Sequence, residues 1–96
     1  MTQEQREEFL EIARQGLKEY GVCNGFYENE NGNCCAVGAY AKKKTGNAYY
    51  WSDLDCGYII GVIHGFDGVP YNLSLGQDAI NGYEDGKKLR EEFIKC

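Results

Sequence analysis

The stretch Cys56-Gly57-Tyr58-Ile59-Ile60-Gly61-Val62-Ile63-His64-Gly65 decides how this chain folds. Its Ile and Val residues suit a buried strand. Its glycines at 57, 61 and 65 recur every fourth residue, which on a helix would line up as one continuous groove. Each glycine costs a helix ~1 kcal/mol against alanine, so the helical reading needs a second signal. That signal lies just upstream, where Ser52 followed three residues later by Asp55 resembles a helix start. The balance favours a helix over 56–65, with strand as the alternative.

Working outward, three more helices follow from local signals. Thr2 with Gln5 forms a capping-box pattern ahead of Phe9, Ala13, Leu17 and Tyr20 at helical spacing, and Gly21 supplies the stop. A second helix is expected from about Cys34 to Thr45-Gly46, with Asn33 as its cap. The last is expected to start at Ser74, where Ser74 and Gln77 again make a capping box. Its face would comprise Leu75, Ala79, Tyr83, Gly86, Leu89 and Phe93, with Glu84–Lys88 and Glu91–Lys95 as i,i+4 pairs. Val22 to Tyr27 reads as extended, and the Asn31-Gly32 turn that follows suggests a small hairpin leading into Cys34-Cys35. The expectation is one domain over 1–96, an α+β fold that is mainly helical, with four helices and one short β-hairpin.

Composition limits the function. With 43% hydrophobic and 14% aromatic residues the chain can build a core, which argues against disorder. No apolar run approaches the ~20 residues that span a bilayer, and the amphipathic start does not read as a secretory leader; a cytoplasmic protein is expected. A net charge of −5 argues against binding a nucleic-acid backbone. Lys42-Lys43-Lys44, the one basic run, suits the negative end of the second helix.

Three chemistries can be placed on the sequence. Cys34 or Cys35 at a helix start could act as a thiol nucleophile, with His64 as base and Asp67 or Asn72 orienting it. Cys23, Cys34, Cys35, Cys56 and His64 could hold zinc, but no two cysteines have knuckle spacing, so neither a metal nor another cofactor is expected. The third is a binding surface made of Tyr49, Tyr50 and Trp51 in one loop and Phe66, Asp67 and Tyr71 in another. The five cysteines, an odd count, suggest reduced thiols.

Residues 13 to 46 resemble a small uncharacterised family found in phages and bacteria. Gly21, Cys23 and Gly25 match its G-x-C-x-G-like step, and Gly32, Cys35, Ala36, Gly38 and Ala39 match its G-x-x-C-A-x-G-A signature. Trp51-Ser52-Asp53 loosely echoes a W-N-D-like segment further on. The resemblance implies a mostly helical accessory protein encoded by a phage or other mobile element, acting in the host cytoplasm. The combined expectation is a small acidic, non-enzymatic binding protein that inhibits a host protein or sequesters a small, nucleotide-like ligand. A thiol enzyme using Cys34 or Cys35 with His64 is the alternative. The glycine-rich helix faces also suggest a homo-oligomer.

Overall fold

The computed structural model describes residues 1–51, 54–70 and 76–94. Four helices carry the fold: α1 (Gln3–Tyr20), α2 (Ala36–Thr45), α3 (Cys56–Asp67) and α4 (Gln77–Phe93).

The starts of α1, α2 and α3 are each capped by a side chain. Thr2 caps α1 with the full reciprocal box: its hydroxyl accepts from Gln5 N and its own N–H donates to Gln5 Oε1. Gly21, at φ 88°, ends that helix in a conformation that favours glycine. The cap of α2 is Cys35, whose sulfur accepts from Gly38 N at 3.5 Å, and not Asn33 as expected. Asn33 is held in the preceding loop instead, where its N–H donates to Asn29 Oδ1 and its carbonyl accepts from Asn29 N. The stretch 56–65 is helical, and Asp55 caps it by accepting from Tyr58 N. The last helix starts at Gln77, with Gly76 at φ 89° in the cap position and no side-chain cap bond, and not at Ser74 as expected. Ser52, Ser74 and Lys95 themselves lie outside the described residues.

The expected hairpin does not form. Residues 21–34 make two isolated bridges, Val22 with Cys34 in parallel and Glu28 with Cys34 in antiparallel fashion. One residue therefore serves both flanks. Cys34 N donates to Gly21 O while Cys23 N donates to Cys34 O, so the loop wraps around Cys34 and has no room to build a ladder. Asn31-Gly32 does turn the chain, with Gly32 at φ 82°.

The glycine spacing finds its partner within the chain. A Cβ placed on Gly61 would overlap the Ala79 carbonyl, and one on Gly65 the Tyr83 carbonyl. From the other side, Gly82 faces Tyr58 O and Gly86 faces Val62 O. Positions advance together along both helices, so α3 and α4 run in the same direction with their backbones in contact. The glycine faces that suggested self-association are thus filled by one another. A similar close approach seats α1 on α2, where Gly16 lies against Ala39.

Phe9, Leu17, Val37, Tyr58, Val62, Phe66 and Leu89 are buried between the two pairs. Among them sits one buried charge, Asp85 of α4. Tyr58 Oη donates to its Oδ2 at 2.5 Å, and Arg6 of α1 donates from Nε and Nη2 at 2.9 and 3.0 Å. This group ties α1, α3 and α4 together. Burial first, then Asp85, pushes the Tyr58 phenol far above its ordinary range, so it remains a donor.

The three lysines ending α2 do more than complement its dipole. Lys42, Lys43 and Lys44 pair with Glu28, Glu19 and Glu8 at 2.5, 3.1 and 3.4 Å, fastening α2 to α1 and to the loop. Among the described residues, no helix is long and apolar enough to cross a membrane.

Candidate functional site

A half-open cavity of about 310 Å³ lies between the 25–27 loop, the start of α2 and the C-terminal half of α3. Its floor is apolar and immobilised: Ala36, Val37, Val62 and Phe66 are fully buried. Phe26 and Tyr49 stand on its rim, exposed by 65% and 60%. Leaving two large rings in water around a concavity is unfavourable, and such patches mark contact sites.

The walls are fixed by backbone contacts. Gly38 allows the loop to approach, since a Cβ there would overlap the Tyr27 carbonyl. Gly25, at φ 83°, turns the loop, and its N–H donates to Asp67 Oδ1 at 3.3 Å, joining loop to helix. The Tyr27 and Tyr49 rings meet at 5.6 Å and 89°, a right-angled corner, and Trp51 backs Tyr27 at 6.2 Å.

Of the residues singled out for binding, Tyr49, Phe66 and Asp67 line this cavity, the last two from the final turn of α3 and not from a loop as expected, because the helix continues to its Gly68 cap. Trp51 supports it from behind, Tyr50 is exposed outside its lining, and Tyr71 lies outside the described residues. Gly25, Phe26, Tyr27 and Ile63 complete the lining and were not anticipated. The sequence signal for Phe26 and Tyr27 is an aromatic pair following a glycine, in a segment that reads as extended.

The thiol set is only partly assembled. Cys35 and Asp67 line the same cavity, whereas His64 and Cys34 are not in its lining. Cys34 donates to Gly32 O. At ~100° per residue Val62, Ile63, Phe66 and Asp67 share one face of α3, and His64 falls about 60° beyond Asp67, past the edge of that face. Its Nδ1 is buried and has no hydrogen-bond partner among the described residues.

Burial pushes the thiols of both Cys34 and Cys35 up from 9.0 to about 11. At Cys35 the helix N–H groups pull the other way and Asp67 adds to the rise. Burial therefore outweighs the positive helix end here. The sign for stability follows. A thiol with a raised native pKa releases its proton more readily when unfolded. Its contribution is complete below pH 9 and is lost as pH climbs from 9 toward 11. Iodoacetamide at pH 7.5 is expected to label exposed Cys56 first and to reach Cys34 and Cys35 only in denaturant. Peptide mapping by mass spectrometry checks this; rapid native labelling of Cys35 would contradict it.

Among the described residues, no three His, Cys, Asp or Glu side chains are grouped to hold a metal ion. No protein-family model, curated protein sequence or solved structure matches this chain.

Proposed function

We propose that this chain is a small non-enzymatic binding protein that sequesters a compact ligand in the cavity between the 25–27 loop, α2 and α3. The observation that carries this reading is the pair of exposed rings, Phe26 and Tyr49, around a rigid apolar floor. Small-ligand sites combine such apolar walls with a few polar groups, and this volume is at the lower end of their range. A concave site favours the small ligand over a host protein as the partner. An accessory role in a phage-infected cytoplasm, as the 13–46 resemblance implies, agrees with sequestration.

The ligand is not a bare phosphate. Among the described residues the lining holds one carboxylate, Asp67, and no cationic side chain. The thiol-enzyme alternative has less support, because the one thiol in the cavity is held protonated and His64 is not beside it.

A fragment screen by NMR tests the reading. Hits are expected to converge on the cavity and to lose about tenfold or more in affinity when Phe26 and Tyr49 are both changed to alanine. Both side chains are mostly exposed, so the fold should survive. Hits scattered over the surface, or indifferent to the double substitution, would remove the proposal.

A further inference from the structure

Resting on that reading of the cavity, we infer that it accepts a methylated ammonium group, as in choline or a trimethylated lysine side chain. Three rings with accessible surface, Phe26, Tyr27 and Tyr49, share the lining with the Asp67 carboxylate, above the fully buried Phe66. Tyr27 and Tyr49 stand at 89° to each other. Their contact is edge to face, which fixes the pair as a corner and leaves the mostly exposed Tyr49 ring beside the Asp67 carboxylate, and ring surface next to an anion attracts an organic cation. A planar heterocycle would instead stack between parallel faces.

The local charges favour the same class. The start of α2 points its positive end at the cavity, worth about half a charge. Cys35 sulfur already accepts Gly38 N, so part of that donor set is occupied. At the end of α3, Arg90 Nη1 donates to Phe66 O at 2.9 Å and offsets the negative helix end. The full charge of Asp67 therefore dominates the lining. Its carboxylate is held in place by Gly25 N.

The methylated head distinguishes this ligand from an ordinary amine. A primary ammonium is strongly hydrated and needs several acceptors at once, whereas Asp67 is the one carboxylate among the described lining residues and its Oδ1 already accepts Gly25 N. Methyl groups spread the charge and remove the donors.

The test compares choline with its neutral carbon isostere, 3,3-dimethylbutan-1-ol, by calorimetry. Fluorescence of Trp51, the only tryptophan, provides a second readout beside Tyr27. Choline should bind about tenfold or more tightly than the isostere. Asp67→Asn keeps the side-chain oxygen for Gly25 but removes the charge. It should weaken choline about tenfold while leaving the isostere unchanged. Tyr49→Leu should weaken choline similarly. An acetylated trimethyllysine amide and its unmethylated counterpart separate the sources: preference for the peptide form assigns a modified protein, and preference for choline a free metabolite. If the isostere binds as well as choline, or Asp67→Asn changes nothing, the ammonium inference falls while the cavity reading stands. If choline, isostere and fragments all fail to bind the cavity, both fall.

Discussion

Gly82→Ala is expected to lower stability by about 3 kcal/mol or more, a large share of the roughly 5–15 kcal/mol that holds a small domain folded. Intrinsic propensity points the other way, since alanine favours a helix over glycine by ~1 kcal/mol. The packing term wins because the new methyl would meet backbone. A Cβ on Gly82 overlaps the Tyr58 carbonyl oxygen, with its carbon at 2.9 Å and Val62 N at 3.0 Å. A flexible side chain could swing aside, but these atoms move only if α3 moves as a unit, which would disturb the core around Tyr58, Val62 and Phe66. Gly57→Ala is the internal control. Its nearest neighbours are the Asp55 carboxylate at 3.2 Å and Asp78 Cβ at 3.8 Å, both side-chain atoms. Its effect should stay within about 1 kcal/mol either way. Urea unfolding followed by circular dichroism compares the two. Equal losses would mean that the helices do not meet backbone to backbone.

The second large effect belongs to Asp85→Ala, expected to cost about 3–5 kcal/mol. Asp85 is 2% exposed, and its carboxylate satisfies both the Tyr58 hydroxyl and the Arg6 guanidinium. Removing it leaves a part-buried cation and a buried hydroxyl without their acceptor, and also opens a cavity. Most of that cost comes from stranded partners rather than from the value of the ion pair itself. Changing all three residues together, Asp85→Leu with Tyr58→Phe and Arg6→Met, should therefore recover much of the loss. Thermal unfolding of the single and triple variants tests this. If the triple variant is no more stable than Asp85→Ala, the group contributes more than mutual satisfaction.

These two expectations trace what local sequence signals can reveal. The capping box at Thr2 and Gln5 and the stop at Gly21 depend on neighbours in sequence, and both were legible. The helix over 56–65 was legible for a less local reason. Its glycine period makes sense only against a second backbone, and Gly82 and Gly86 supply it. The start of α2 was misplaced because Asn33 is a good cap in isolation, yet Asn29 and the wrap around Cys34 engage it first. The hairpin failed for the same tertiary reason. Asp85 is not legible because an acidic residue in a charged helix reads as exposed, and its burial is made tolerable by distant partners, Arg6 seventy-nine positions away and Tyr58 twenty-seven away.

The site was half visible. Tyr49, Phe66 and Asp67 come from segments already suspected, and they converge as a cavity needs. Phe26 and Tyr27 were hidden by an extended reading of their loop. The pairing of Cys35 with His64 could not be judged from spacing, because one residue of helical rotation separates Ile63 at the cavity from His64 outside its lining.

The most direct measurement is a ¹H–¹⁵N spectrum of the whole chain titrated with choline. Saturable shifts should gather at residues 25–27, 35–37, 49 and 62–67. Shifts confined to the exposed carboxylates of α1, Glu4, Glu7 and Glu11, or no saturable shifts at all, would mean that this cavity is not where the molecule meets a cation.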